Sequence, residues 1–323
     1  MSGVATQSRL QARAAAARTA SSLGFGCASL GSRIGASDGL RALAEAHEAG
    51  VVWYDVAPAY GAGEAESLLS GFLQGRRNSI SVTTKVGIAP PARLALMKAA
   101  YALGRPLVGW TAGLRRGFRA LPATRNRRVP LTADLIAHSI EGSLRRLRTP
   151  HVDVFALHDP DAADVCNDEI RRALERVLER GQALQIGVAG TLGACSAAAA
   201  IGAPYSVLQM STETLASALP HFAACGAKLA TYSVFGVSDG MRQRLVGALQ
   251  RRPDAARRLF NAGYYCSIDQ AASDLLLDAA FALNPDGIVI ASMFDPRHRE
   301  ANLARARRPV FPGAPALVRE LLA

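Results

Sequence analysis

The run Leu131-Thr-Ala-Asp-Leu-Ile-Ala-His-Ser-Ile-Glu-Gly-Ser-Leu-Arg-Arg-Leu-Arg-Thr-Pro-His-Val-Asp-Val-Phe-Ala-Leu-His158 changes its hydrophobic period once. In its first part Leu135, Ile136, Ile140, Leu144 and Leu147 recur at helical intervals and form one stripe on a helix over Thr132–Arg148. Thr132 offers a hydroxyl to the free N–H groups of the first turn, and Pro150 stops the helix. From Val152 to Leu157 the chain is apolar at almost every position, as in a strand covered on both faces. A helix feeding such a strand is one unit of a parallel α/β sheet.

Working outward, the same alternation fills the chain. Strands are expected at Leu23–Cys27, Val51–Val56, Ile80–Val86, Val152–Leu157, Leu184–Val188, Ser206–Met210, Lys228–Tyr232 and Gly287–Ala291. Helices are expected at Ser37–Ala49, with a Ser-Asp cap and a stop at Gly50, and at Glu64–Leu73, Thr132–Arg148 and Asp168–Arg180. Four more follow at Ser196–Ile201, Glu213–Ala224, Gln270–Leu283 and Pro296–Arg307. Eight strand–helix units predict an α/β fold closed as a (β/α)8 TIM barrel, with an open doubly wound sheet as the alternative. Two connections exceed ordinary loops: 87–131 after strand three, and 233–267 after strand seven, the latter with a helix near Met241–Leu249. Both leave the barrel at its C-terminal face, where such folds place their chemistry.

The 323 residues are 50% hydrophobic, enough for a single barrel domain over 1–323 with a large core. No stretch approaches the ~18 uninterrupted apolar residues of a membrane-spanning helix, so a soluble protein is expected. Cys27, Cys166, Cys195, Cys225 and Cys266 are odd in number and form no CxxC pair, which argues against a disulfide framework or structural zinc and for a reducing, cytoplasmic setting. Residues 1–20 carry Arg9, Arg13 and Arg18 and no acid, a composition like that of a transit peptide but without a secretory apolar block. They read as a poorly ordered N-terminus.

The net charge of +11 is concentrated. No acid falls between Glu66 and Asp134, whereas Arg76, Arg77, Lys85, Arg93, Lys98, Arg105, Arg115, Arg116, Arg119, Arg125, Arg127 and Arg128 do. Such a run attracts phosphate or acidic ligands, or else is a solvated insertion or one docked on an acidic neighbour. Without regularly interleaved aromatics, nucleic acid is not expected as a partner.

Three strand ends carry reactive side chains. Asp55-Val-Ala-Pro-Ala-Tyr60-Gly61 closes strand two, Lys85 lies in Thr83-Thr84-Lys85-Val86-Gly87, and His158 follows strand four. At the mouth of a barrel Asp55, Tyr60, Lys85 and His158 can meet in one pocket. A free phenol titrates near ~10, and a neighbouring ammonium lowers that value. Lys85 is therefore expected to favour the Tyr60 phenolate while Asp55 holds Lys85 in place. His158 supplies a second donor to a carbonyl oxygen, and Tyr60 gives or takes the proton. No metal is required. Glu64 reads as an exposed dipole partner at a helix start, and Cys27 as a buried inert thiol. Gly24-Phe-Gly26 with Gly31 has the wrong spacing for a Rossmann fingerprint.

Together these residues resemble the Asp, Tyr, Lys and His tetrad of the aldo-keto reductase family, with similarity from about Leu23 to Asn302. The resemblance implies a (β/α)8 barrel and a nicotinamide dinucleotide, NADP or NAD, extended across the strands' C-terminal face. It implies that Gln209 bonds the carboxamide, that Tyr232 stacks on the nicotinamide ring beside Ser233, and that Ser292 to Asn302 grips the adenosine end. Within that segment Asn302 matches the adenine contact, His298 falls where many members have Arg, and Arg297, His298 or Arg299 is available to a 2′-phosphate. Two departures stand out: Gly187-Val188-Ala189-Gly190 replaces a Ser-Asn pair after strand five, and Ser292 replaces a Lys. The run Asp55 to Glu64, with His158-Asp159-Pro160-Asp161, is most similar to the aldose (galactose/fucose-type) dehydrogenase branch. The resemblance therefore implies a sugar or small carbonyl substrate. The competing readings are a catalytically silent nucleotide-binding regulatory or scaffold barrel, and a basic insertion that binds an acidic polymer.

Overall fold

The computed structural model describes residues 22–90, 127–222, 225–236, 239–261, 263–264 and 267–323. The N-terminal 1–20, Cys266 and most of the basic insertion, including Arg93, Lys98, Arg105, Arg115, Arg116, Arg119 and Arg125, lie outside the described residues.

Eight parallel strands close into a barrel: β1 (Leu23–Gly26), β2 (Trp53–Asp55), β3 (Ser81–Val86), β6 (Val152–His158), β7 (Ala183–Ala189), β8 (Tyr205–Ser211), β9 (Lys228–Tyr232) and β10 (Ile288–Ala291), with β10 pairing back onto β1. All eight coincide with the expected strands to within two residues at either end. Inside the long connection after β3, β4 (Ile88–Ala89) and β5 (Arg127–Arg128) form a short antiparallel ladder that local periodicity did not reveal.

The helices wrap the outside. They are α1 (Ala36–Glu48), α2 (Ala65–Leu73), α3 (Ala133–Leu147), α4 (Ala162–Cys166), α5 (Asp168–Glu179), α6 (Leu192–Ile201), α7 (Thr212–Phe222), α8 (Gly240–Arg251), α9 (Pro253–Asn261), α10 (Ile268–Leu283), α11 (Pro296–Ala306) and α12 (Ala314–Leu322). Thr132 caps α3 through a 3.1 Å bond from the Leu135 N–H, and Arg148 ends that helix in the left-handed region ahead of Thr149-Pro150. The expected Ser-Asp cap of α1 is not formed. Gly35 occupies the N-cap, and Asp38 lies inside the first turn, where it suits the positive end of the dipole and bonds Arg41. Three helices were not foreseen: α4 is too short to show a period, and α9 and α12 lie beyond the strand–helix pattern.

Two apolar layers explain why the strands read as continuous runs. The outer layer packs Phe25, Tyr54, Val82, Phe155, Leu157, Val188, Leu208 and Val289 against the helices. A small inner cluster fills the barrel with Trp53, Val154, Ala156, Ala189, Val207, Ala230, Ile288 and Ile290. Gly24 makes room for it, since a Cβ there would stand 2.9 Å from both Ile288 and Ile290. Strand side chains alternate, so the residue two positions beyond each inner one points to the barrel mouth. That step carries Trp53 to Asp55, Ala156 to His158, Val207 to Gln209 and Ala230 to Tyr232, and Thr83 to Lys85. Among the described residues no helix is long and apolar enough to cross a membrane.

Candidate active site

Lys85 is the centre of the mouth. Its ammonium donates to Asp55 Oδ1 at 2.7 Å, to the Val56 carbonyl at 3.2 Å and to the Tyr60 hydroxyl oxygen at 3.3 Å. The side chains of Lys85 and Asp55 are 1% and 5% exposed, so each depends on the other for its charge. With three N–H groups and three acceptors, Lys85 has no further donor. Because the phenol oxygen of Tyr60 receives a bond from Lys85, its own hydrogen remains available to a third group.

Tyr60 does not come from the strand itself. It starts a 3-10 turn (Tyr60–Gly63) after β2, tied down by Tyr60 N–H to Ala57 O at 3.0 Å and Gly61 N–H to Ala28 O at 3.2 Å. Gly61 has φ +60°, and a Cβ there would stand 1.7 Å from the Leu30 carbonyl oxygen, so only glycine lets the turn lie this close. His158 completes the group: its ring meets Tyr60 edge-on, with centroids 5.8 Å apart.

The electrostatics correct one expectation. Burial pushes the Tyr60 phenol up, Lys85 pulls it down by charge and hydrogen bond, and Asp55 offsets Lys85; the result lies above the ordinary tyrosine value. Proximity of an ammonium alone suggested a phenolate, but this ammonium is already neutralised by its buried carboxylate, and burial opposes the phenolate charge. Burial also opposes the charge on Lys85, yet Asp55 and the phenol hold its pKa above the usual value. Burial, reinforced by Lys85, lowers His158 to about 3. At neutral pH the imidazole is therefore uncharged, with one N–H donor. Cys27 is buried behind Asp55 with its thiol pushed up by burial and by that carboxylate, which makes it inert.

A second buried carboxylate supports the group from behind. Glu66 on α2 accepts the Thr84 hydroxyl at 2.6 Å and Arg146 Nε on α3 at 2.6 Å, fixing the strand residue next to Lys85 to two helices. The sequence reading passed over Glu66 and weighed Glu64, which is half-buried where an exposed residue was expected. The usable signal was an acid on the inward stripe of α2, beside Leu69 and Phe72.

The remaining rim residues differ in their surroundings. Gln209 is buried at the end of β8, and Tyr232 is half-buried against the inner cluster at the end of β9. Ser233 is exposed in the left-handed region at φ +55°. Ser292 is exposed after β10, as are Arg297 and His298 in the first turn of α11, whose backbone N–H groups donate to Asp295 Oδ1. Asn302 is buried and its Nδ2 has no hydrogen-bond partner among the described residues. Arg299 is turned inward: it donates to the Met293 carbonyl at 3.0 Å and the Phe294 carbonyl at 3.4 Å, and pairs with Glu45. That removes it from the cations open to solvent. At Ala189-Gly190 no polar side chain is present, and the Gly190 N–H donates to the Gln209 carbonyl at 3.0 Å. Among the described residues no group of three or more His, Cys, Asp or Glu is placed to hold a metal ion.

The described end of the basic insertion docks on acids. Arg128 reaches Asp159 Oδ2 at 2.9 Å and Asp161 Oδ1 at 3.4 Å, and also donates to the Asp159 carbonyl.

The chain is 30% identical over 142 residues to 6-dehydroglucose reductase of Agrobacterium fabrum, covering 43% of this chain and 39% of that protein. It is 32% identical over 188 residues to D-threo-aldose 1-dehydrogenase of a Pseudomonas species, covering 55% and 52%. The match thus spans about half the length of these relatives or less. Among solved structures, an aldo-keto reductase of Bacillus halodurans in its holo form superposes with a TM-score of 0.63 at 20% identity, over 94% of this chain and 93% of that one. A thermostable aldo-keto reductase in complex with epalrestat superposes with a TM-score of 0.60 at 19% identity, over 93% and 94%. At such identities the two structures speak for the fold alone. The family model for "Aldo/keto reductase family" matches residues 22–304, and the chain belongs to that family.

Proposed function

We propose that this barrel is a nicotinamide-dependent oxidoreductase acting on a sugar or small aldehyde or ketone, with Tyr60 as its general acid and base. The observation that carries the reading is the Lys85 ammonium, buried between Asp55 and the Tyr60 oxygen, which leaves the phenol hydrogen unclaimed. The rim fits a dinucleotide: Asn302 has a buried amide hydrogen in want of an acceptor, Tyr232 offers a ring at the mouth, and Gln209 a buried amide. Gln209, Tyr232 and Ser233 would hold the nicotinamide end; Ser292, Arg297, His298 and Asn302 would hold the adenosine end. Exposed Arg297 and His298 can accept a 2′-phosphate, so the cofactor is NADP or NAD. When bound, it supplies or accepts the hydride.

The chain's own residues do the rest. A substrate carbonyl oxygen placed between Tyr60 and His158 accepts two hydrogen bonds, one from the phenol and one from the neutral imidazole. Tyr60, kept protonated by burial, gives its proton to that oxygen as negative charge develops there. The phenolate left behind faces the Lys85 ammonium, and Asp55 keeps that ammonium in place and charged. In the opposite direction the phenolate accepts the alcohol proton.

The test is a titration of intrinsic fluorescence with NADPH and NADH, beside initial rates with aldoses and aldehydes. Tyr60→Phe should keep dinucleotide affinity while lowering turnover by roughly 10²–10⁴-fold, the usual worth of a positioned proton donor. Wild-type turnover that survives this substitution would remove Tyr60 from the chemistry. Binding without turnover of any carbonyl or alcohol in the wild type would leave a scaffold barrel instead.

A further inference from the structure

A cavity of about 290 Å³ lies between the β4–β5 hairpin and the loop after β6, and His158 forms part of its wall. His158 thereby belongs both to the Tyr60 group and to the wall of this space. Its other polar walls are Arg128, Asp159, Asp161 and Asp164. These groups are prearranged. Asp159 stands at φ +57°, a left-handed backbone uncommon outside glycine, with its N–H on the Ala189 carbonyl. Arg128 links Asp159 to Asp161, and the Asp161 N–H donates to Asp164 Oδ2 at 3.0 Å. On the hairpin side the Val129 N–H donates to the Gly87 carbonyl at 2.9 Å, which fixes the base of the insertion to the end of β3.

The chemistry of this wall is specific. It offers several carboxylate oxygens that accept from O–H groups, and one guanidinium that donates to their oxygens. Three carboxylates against one guanidinium give it a net negative character, although the chain as a whole carries +11. Anionic substrates meet repulsion here, and apolar ones gain no hydrogen bond. A neutral ligand with several hydroxyls satisfies both sides.

We propose that Arg128, Asp159 and Asp161 form the subsite that reads the substrate's hydroxyl groups, selecting neutral, unphosphorylated polyhydroxy carbonyl compounds over alkanals and over sugar phosphates. This assignment rests on the hydride-transfer reading above. Arg128 and Asp161 are specificity residues, outside the proton-transfer group, and they act mainly on substrate binding.

The experiment compares kcat/KM for aldoses, their phosphate esters and straight-chain aldehydes of equal carbon number, in the full-length wild type and in Arg128→Met and Asp161→Asn. In the wild type the free aldose should exceed its phosphate ester by roughly tenfold or more, and in each variant aldose kcat/KM should fall roughly tenfold, mostly through KM, the scale of one hydrogen bond to a charged group. Alkanal turnover should stay within about twofold, which also reports an assembled site in each variant. Asp161→Asn guards against a hairpin that fails to fold without Arg128, because the Asp161 side chain is 76% exposed. Aldose and alkanal rates that fall together, or an unchanged aldose preference in both variants, would overturn the subsite while leaving hydride transfer standing. A wild type inactive on every compound with either dinucleotide would overturn the hydride-transfer reading, and the subsite with it.

Discussion

Two regions of this molecule bury the same three chemical groups, a carboxylate, a cation and a phenol, and arrange them in opposite orders. At the barrel mouth the cation is in the middle: Lys85 donates to Asp55 on one side and to Tyr60 on the other. Behind the barrel the carboxylate is in the middle. Asp278 on α10 accepts Arg305 Nε at 2.7 Å together with its second nitrogen, the Tyr264 hydroxyl, and the Phe311 N–H at 3.1 Å. Arg305 also donates to the Pro309 carbonyl at 3.0 Å and lies 5.0 Å from the centre of the Tyr264 ring.

In the second arrangement the phenol proton is committed. Burial raises the Tyr264 phenol, and Asp278 raises it further because the phenol donates directly to that carboxylate. The planar fork of arginine saturates Asp278, and the result is a clamp joining α10, α11 and the turn before α12. At the mouth, the ammonium takes the phenol's oxygen and leaves its hydrogen facing open space beside His158. Composition alone does not separate such a clamp from the proton donor proposed at the mouth; the two differ in the order of the three groups and in one open direction.

Exchanging the same atom at both places tests that contrast most directly. Tyr60→Phe should cost roughly 10²–10⁴ in turnover, whereas Tyr264→Phe should leave kcat/KM within a few fold. Comparable activity losses in the two variants would abolish the distinction. Stability should respond in the other region: Asp278→Ala strands Arg305 in the interior and should cost about 3–5 kcal/mol in urea denaturation, the usual effect of breaking a buried pair. A midpoint unchanged by that substitution would mean Arg305 finds water in the native state.

The pH dependence sharpens the comparison from the side of the active group. Since burial keeps the Tyr60 phenol above its ordinary value, carbonyl reduction should be level across neutral and mildly alkaline pH. Alcohol oxidation, which needs the phenolate, should rise with pH throughout that range. A reduction rate that declines below the tyrosine range would show that the phenol ionises early. A smaller effect concerns stability. Unfolded, His158 takes a proton as pH falls through 6.5; folded, it resists until about 3. Protons therefore favour the unfolded chain in that window, stability declines there on acidification, and it is fully retained above it. His158→Gln should flatten this part of the stability curve, as read by thermal midpoints at successive pH values.

Much of this is legible in the sequence. Asp55, Lys85 and His158 stand at strand ends, and strand ends follow from local pattern. The outer clamp left no such trace: Tyr264, Asp278 and Arg305 belong to three segments whose periodicities say nothing about one another. Glu66 was equally hidden, because its partners Thr84 and Arg146 are 18 and 80 residues away. Arg299 looked like its exposed neighbours Arg297 and His298, and only packing turned it toward Met293, Phe294 and Glu45.

The sequence by itself determined the strand–helix alternation, since hydrophobic period is a short-range property. It thereby placed Asp55, Lys85 and His158 at strand ends, and the family resemblance added Gln209 and Tyr232. Tertiary structure alone decided which of the charged groups are dry, which carboxylate answers which cation, and so whether Tyr60 holds its proton. Those outcomes depend on the dielectric and the partners contributed by distant segments, and such quantities are undefined until the chain has closed upon itself.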